Sequence, residues 1–187
     1  MSPDRTAVCS FPPAFRTDAR VLILGSMPGE ASLAAGRYYA HPRNAFWPIM
    51  GALFGAGAEL PYDQRLARLN AAGVALWDVI ARCRRPGSLD SAIARDSVEP
   101  NDFPMLFAAC PQITHVFFNG TAAETAFRRH ARLPAGSRPL SFTRLPSTSP
   151  AHAARDLTAK LAAWQAVATA LGEHRDTPRA QTFVAAA

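Results

Sequence analysis
Val21-Leu22-Ile23-Leu24-Gly25-Ser26-Met27-Pro28-Gly29 is a short continuous apolar run closed by glycine and then bent by a Pro-Gly pair. An uninterrupted apolar run of this length, with no polar alternation, fits a strand buried on both faces of a parallel sheet. Two further runs resemble it. Val74-Ala75-Leu76-Trp77 follows Gly73, which reads as the stop signal of a helix carrying Leu66 and Leu69, and His115-Val116-Phe117-Phe118 ends at Asn119-Gly120. Leu140 to Leu145 is a fourth, more alternating candidate, placed just before Pro146-Ser147-Thr148-Ser149-Pro150. Helical periodicity fills the gaps, over Phe46 to Phe54, Tyr62 to Ala72, Asn101 to Ala109, Thr121 to His130 and Pro150 to Leu171. Strands alternating with helices predict an α/β layered domain with a mainly parallel sheet.

In such sheets ligands bind outside the carboxyl ends of the strands. The expected rim therefore gathers Ser26 to Gly29, Asp78, Asn119 and Ser147 to Ser149 from distant parts of the chain. The 187 residues are read as a single domain over 1–187, with a core of about 20–171 and a tail of 172–187 lacking clear periodicity. No internal repeat is present.

Twenty basic residues against 14 acidic ones leave a net charge of +6, and Lys160 is the only lysine. Arginine's planar fork suits phosphate, so a polyanionic partner is expected, although charge for solubility alone gives the same excess. Cys9, Cys83 and Cys110 are widely spaced with no C-x-x-C pair, which suggests neither a disulfide framework nor a thiolate metal site. No run approaches the roughly 18 apolar residues of a membrane span, and no basic flank with an apolar core opens the chain. The expectation is a cytoplasmic protein, with no membrane association, metal or cofactor, acting as a monomer.

The loop Tyr38-Tyr39-Ala40-His41-Pro42-Arg43-Asn44-Ala45-Phe46-Trp47 is too rich in polar and aromatic groups for a plain connection. Flat rings suit stacking on a nucleobase, and an amide can both donate and accept. For Asn44 the structural alternative is an N-cap, which Pro48 disfavours because it has no amide hydrogen to offer the Asn44 carbonyl. Packing is the alternative for one of the two tyrosines. Asn119 either meets a base edge or serves the turn before Gly120. Ser149 can cap a helix with Pro150 as its first residue, and a phosphate at that helix start is the functional alternative. His152 lies in the same first turn. No G-x-x-x-x-G-K loop or G-x-G-x-x-G turn is present to support a nucleotide-handling enzyme.

Taken together, Gly-Ser-Met-Pro-Gly at 25–29, the 38–47 loop, Phe-Asn-Gly at 118–120 and Leu-Pro-Ser-Thr-Ser-Pro-Ala at 145–151 resemble the uracil-DNA glycosylase superfamily, closest to its hypoxanthine (deoxyinosine) DNA glycosylase branch. The resemblance covers roughly residues 20 to 165. It implies a three-layer α/β/α fold around a central four-stranded parallel sheet, no metal, and excision of a deaminated base from DNA by hydrolysis of its N-glycosidic bond. Uracil glycosylases of the superfamily carry an aspartate in the first motif and a histidine opening the last, positions that here look like Met27 and Leu145. Mismatch-specific members carry asparagine in the first motif, again matched to Met27. In the hypoxanthine branch the corresponding chemistry rests on the asparagine of His-Pro-Arg-Asn, here Asn44.

The resemblance thus implies Asn44 as the catalytic residue, with Ser26, Met27, Pro28, Gly29, Tyr38, Tyr39 and Asn119 against the base. His41, Arg43, Ser147, Thr148, Ser149 and His152 are expected toward the DNA. Lys160, placed well into the last helical pattern and away from the rim, argues against Schiff-base strand cleavage and for a monofunctional enzyme. The alternative is a catalytically inactive DNA-binding module of the same fold, since fold alone does not guarantee chemistry.

Overall fold
In a computed structural model, residues 7–133, 138–152 and 155–173 are described. Seven strands appear: β1 (Ala7–Cys9), β2 (Val21–Gly25), β3 (Val74–Asp78), β4 (Ile80–Arg84), β5 (Glu99–Pro100), β6 (His115–Asn119) and β7 (Ser141–Leu145). Six α-helices accompany them: α1 (Glu30–Ala35), α2 (Phe46–Phe54), α3 (Tyr62–Ala71), α4 (Phe103–Ala109), α5 (Thr121–His130) and α6 (Leu157–Glu173).

The four apolar runs form one sheet in the order β3-β2-β6-β7, every neighbouring pair parallel. All five residues of β2 and all five of β3 are buried, as the apolar runs Val21–Leu24 and Val74–Trp77 lead one to expect, and Asp78 is buried with them at the end of β3. Helices flank this sheet, with α3 on β3, α5 on β2 and β6, and α6 on β2 and α2. The fold is therefore α/β with a central four-stranded parallel sheet. Leu76 exchanges backbone hydrogen bonds with Ala14 (2.8 and 2.9 Å), so the segment before β2 covers the outer edge of β3. Trp164 on α6 is fully buried, meets Phe46 edge-on at 5.9 Å, and donates from Nε1 to the Pro146 carbonyl at 3.0 Å. One side chain thus ties the last helix to α2 and to the loop after β7.

Three features differ from the reading of the sequence. First, β1, β4 and β5 form a second, antiparallel sheet, and α1 occupies what reads as loop. Only Val79 separates β3 from β4, so the chain leaves one sheet and enters the other without a turn signal. Second, the last helix begins at Leu157 rather than Pro150. Asp156 accepts from Ala159 N through Oδ1 at 2.7 Å and takes the capping task, while Ser149 Oγ accepts from Ala151 N at 3.3 Å in a local turn. The phosphate site expected at a helix starting from Pro150 therefore lacks its helix. Third, Lys160 lies in the first turn of α6, buried, with Nζ donating to the His152 carbonyl at 2.9 Å. It adjoins the rim loop instead of standing away from it. The proposed tail lies outside the described residues from position 174 on.

Candidate active site
The carboxyl ends of β2, β3, β6 and β7 open into a cleft of about 150 Å³. That is smaller than the roughly 300–1,000 Å³ of drug-sized sites and suits a compact ring system. Ser26, Met27, Pro28 and Gly29 line it, as do Tyr38, Tyr39, His41 and Asn44, together with Asn119, Ser147, Thr148 and Ser149. Four stretches, the first and last more than a hundred residues apart, meet because parallel strands deliver their following loops to one edge. Arg43 and His152 are exposed and do not line the cleft.

One hydrogen-bonded chain couples these stretches. Asn119 Oδ1 accepts from Thr148 N and Asn119 Nδ2 donates to Thr148 Oγ1, both at 2.8 Å. The Thr148 carbonyl in turn accepts from Ala45 N at 3.0 Å. Thr148, only 1% exposed, therefore uses its amide, carbonyl and hydroxyl within the protein, which leaves it little to offer a phosphate. The bond from Thr148 N also fixes which end of the Asn119 amide is oxygen, since a backbone N–H can only donate. One donor hydrogen and one lone pair of that amide are not used by Thr148 and face the Tyr39 hydroxyl and the cleft.

Asn44 is oriented in the same way. Its Oδ1 accepts from Phe46 N at 3.0 Å, an Asx turn one residue ahead of the N-cap position Ala45. Its Nδ2 has no hydrogen-bond partner among the described residues, so the amide presents a donor at the cleft wall. His41 Nδ1 accepts from Arg43 N at 3.1 Å, which places the ring proton on Nε2 in this arrangement.

The two tyrosines divide their tasks. Tyr38 is 4% exposed, donates its hydroxyl to the Pro12 carbonyl at 3.0 Å, and accepts at its own carbonyl from Trp47 Nε1 at 2.9 Å. It anchors the loop in the core. Tyr39 has φ of 54°, left-handed backbone that a bulky residue adopts only when its surroundings hold it there. The ring stacks on Phe46 at 3.9 Å, and the hydroxyl lies buried between the Asn119 amide and Asp78.

Asp78 ends β3 directly beside Gly25 of β2. The carboxyl is buried, and its Oδ2 lacks a partner. Burial, aided by the charge of Asp90 and opposed by the Arg85 guanidinium, pushes its pKa up to about 7. Asp90 is raised as well, chiefly by burial, although its Oδ1 accepts from Ser26 Oγ at 2.8 Å. Arg85 is 2% exposed and braces the first motif by donating Nη2 to the Pro28 carbonyl and Nε to the Gly87 carbonyl. Ser88 Oγ accepts from Glu30 N at 2.9 Å, pinning the same loop from the other side.

Sequence reasoning put Asp78 on the rim without giving it a task and passed over Arg85, Ser88 and Asp90. The available signal for Asp78 was a charged residue closing an otherwise apolar strand. The other three sit in a loop more than 50 residues from the first motif, and no spacing announces them.

Gly25 leaves the room these groups occupy. A Cβ there would fall 2.3 Å from Asp78 Oδ1 and 3.0 Å from the Tyr39 hydroxyl. Gly25→Ala is therefore expected to destabilise the fold by about 1–3 kcal/mol, as overpacking of buried sites does. Urea unfolding midpoints of the two proteins measure this, and an unchanged midpoint would contradict the crowding.

Comparison with known proteins agrees with this geometry. Residues 12–169 match the family described as the Uracil DNA glycosylase superfamily. The chain is 36% identical over 111 residues to a protein of Methanosarcina barkeri named hypoxanthine DNA glycosylase, covering 59% of this chain and 69% of the relative. It is 34% identical over 114 residues to a protein of the same name from Methanosarcina acetivorans, covering 60% and 71%. A solution NMR structure of a candidate uracil DNA glycosylase from Methanosarcina acetivorans superposes with a TM-score of 0.71 at 30% identity, over 89% of this chain and 99% of the other.

Proposed function
The chain belongs to the uracil DNA glycosylase superfamily, and from that membership we propose that it is a monofunctional DNA glycosylase acting on a deaminated base, hypoxanthine first, in base excision repair. The observation that carries this reading is the convergence of a free Asn44 donor, the half-used Asn119 amide and the cleft-lining Tyr39 in one compact cleft.

A base within a duplex is out of reach, so the target nucleotide must be flipped into the cleft. There the Tyr39 ring, backed by Phe46, offers a rigid platform for a flat base. Asn119 meets the base edge with its remaining donor and acceptor. Hydrolysis leaves an oxocarbenium-like sugar and an electron-rich base. Asn44 Nδ2, held in place before the reaction, stabilises the charge growing on the base or fixes the attacking water. An amide is no general base, so its contribution is electrostatic and positional. Outside the cleft, the net positive charge favours DNA phosphates, with Arg43 and His152 exposed and Ser147 and Ser149 lining the cleft.

Lys160 supports the monofunctional reading on new grounds. Its ammonium is buried against the His152 carbonyl and does not line the cleft, so it has no approach to a sugar carbon.

Labelled oligonucleotides carrying deoxyinosine or deoxyuridine, incubated with enzyme and then treated with alkali, test the proposal. Strand breaks at deoxyinosine that need alkali are the expected result. Breaks without alkali would refute monofunctionality. DNA binding with excision of neither lesion would favour the inactive module.

A further inference from the structure
We propose that Asp78 is the acid that protonates the departing base, its cleft-lining carboxyl lying with Oδ1 beside Gly25 and the Tyr39 hydroxyl and with Oδ2 buried and unpartnered. The inference rests on the glycosylase reading and names the group that completes it.

Buried polar atoms in folded proteins nearly always find a partner, and exceptions cluster where a ligand supplies one. Among the described residues Asp78 Oδ2 is such an exception, in a carboxyl that lines the cleft. Asp78 Oδ1 and the Tyr39 hydroxyl both lie within 3.0 Å of the point where a Gly25 side chain would begin, so the two groups share one spot on the cleft floor. Oδ2 of Asp78 is not needed to hold the fold together by a hydrogen bond. The backbone at Asp78 is held independently, by Asn101 Nδ2 donating to its carbonyl at 2.9 Å and by Val79 N donating to the Gly25 carbonyl at 2.9 Å. The carboxyl is thus placed rigidly and left chemically free.

The groups facing it explain how it keeps a proton. Tyr39 and Tyr38 approach from the loop before α2, Tyr62 from α3, and Asp90 from the short 3-10 helix Asp90–Ala92 after β4, while Arg85 is the cation that acts on it among the described residues. Arg85 gives hydrogen bonds from Nε and Nη2 to the Gly87 and Pro28 carbonyls, its Nη1 is buried and unpartnered, and among the described residues it forms no ion pair with Asp78. Burial and Asp90 therefore prevail, and the carboxyl ionises only near pH 7. An acid that holds its proton to neutrality is matched to delivering it there.

In the step proposed, the Asp78 proton passes to a ring nitrogen of the base as the N-glycosidic bond breaks, and the bonding electron pair leaves with the base. Water adds its oxygen to C1′ of the sugar and releases one proton, which restores the Asp78 carboxyl. The products are the free neutral base and an abasic sugar. Asn44 and Asp78 then act on different moments of one reaction, the first on charge and position, the second on the proton.

Asp78→Asn tests this, because the amide is close in shape to the neutral acid and needs no desolvation, yet holds no transferable proton. Wild-type single-turnover excision of deoxyinosine is expected to be level below about pH 7 and to fall about tenfold per pH unit above it. The variant is expected to be slower by about 10²-fold at about pH 6, to show no such fall, and to bind DNA carrying a non-cleavable 2′-fluoro analogue as wild type does. A variant as fast as wild type, a slow variant that keeps the wild-type fall, or a loss of binding matching the loss of rate each overturns the acid role. A wild-type rate that does not fall between about pH 7 and pH 9 overturns it whatever the variant does. A wild type that excises no base overturns the glycosylase reading and this inference with it, whereas active wild type with an unaffected variant removes the acid alone.

Discussion

Replacing Asn44 by alanine is expected to slow single-turnover base excision by about 10²- to 10³-fold while leaving the protein folded. The size follows from the environment. Asn44 Nδ2 is a donor whose orientation is set in advance by the Oδ1 bond to Phe46 N, so no reorganisation is needed when charge develops nearby. Removing the side chain also frees Phe46 N, but that single partly exposed hydrogen bond is worth only about 1 kcal/mol of stability. Asn44→Asp separates the two roles proposed for the amide. It keeps an acceptor for Phe46 N and discards the donor, so it should be as slow as the alanine variant if Nδ2 acts on the base. Recovery of rate in the aspartate variant would instead assign this position to activating water. An alanine variant with unchanged excision would remove Asn44 from the chemistry altogether.

Much of the architecture is legible because β2 and the interiors of β3 and β6 are unbroken apolar runs, a composition that suits strands covered on both faces. Their loops were then assigned to one rim by the rule for parallel sheets, and the cleft lining follows that assignment closely. The small antiparallel sheet was hidden for the opposite reason. Its strands are two to five residues long, with exposed positions interleaved, and β4 continues from β3 past a single residue. Periodicity has nothing to act on at that length. The start of α6 was misplaced because Ser149-Pro150 has the chemistry of a helix start, and Asp156, seven residues after Ser149, has it too. Lys160 shifted from bystander to neighbour of the rim loop as a direct consequence. Within the site, side chains carried by the quoted loops were found, whereas Arg85 and Asp90 act from a segment whose sequence, Arg-Arg-Pro-Gly-Ser-Leu-Asp, reads as an ordinary turn. What ties them to the first motif is Arg85 reaching back to the Pro28 carbonyl and Ser26 reaching out to Asp90, which lines the cleft. Such long-range bonds leave no trace in local pattern.

Asp78 also makes a thermodynamic demand on the fold, and its removal should be visible without any substrate. In the unfolded chain the carboxyl has its ordinary pKa of 3.8, while in the fold burial raises it to about 7. Below about pH 3.8 the group is protonated in both states and its contribution to stability is fully present. As pH rises from there the unfolded chain ionises while the folded one cannot, and stability is lost at about 1.4 kcal/mol per pH unit until the folded carboxyl also ionises near 7. An asparagine at position 78 does not titrate. Asp78→Asn is therefore expected to leave stability nearly unchanged at about pH 4 and to raise it by up to about 4 kcal/mol at about pH 8. Urea unfolding at the two pH values, compared between variant and wild type, measures the difference. A gap that does not widen with pH would show that the folded carboxyl ionises as readily as the unfolded one. The expected result sets stability against activity at a single position: the same burial that keeps a proton available at the cleft floor is what the folded state must tolerate at neutral pH. The substitution that abolishes proton transfer should therefore yield the more stable protein.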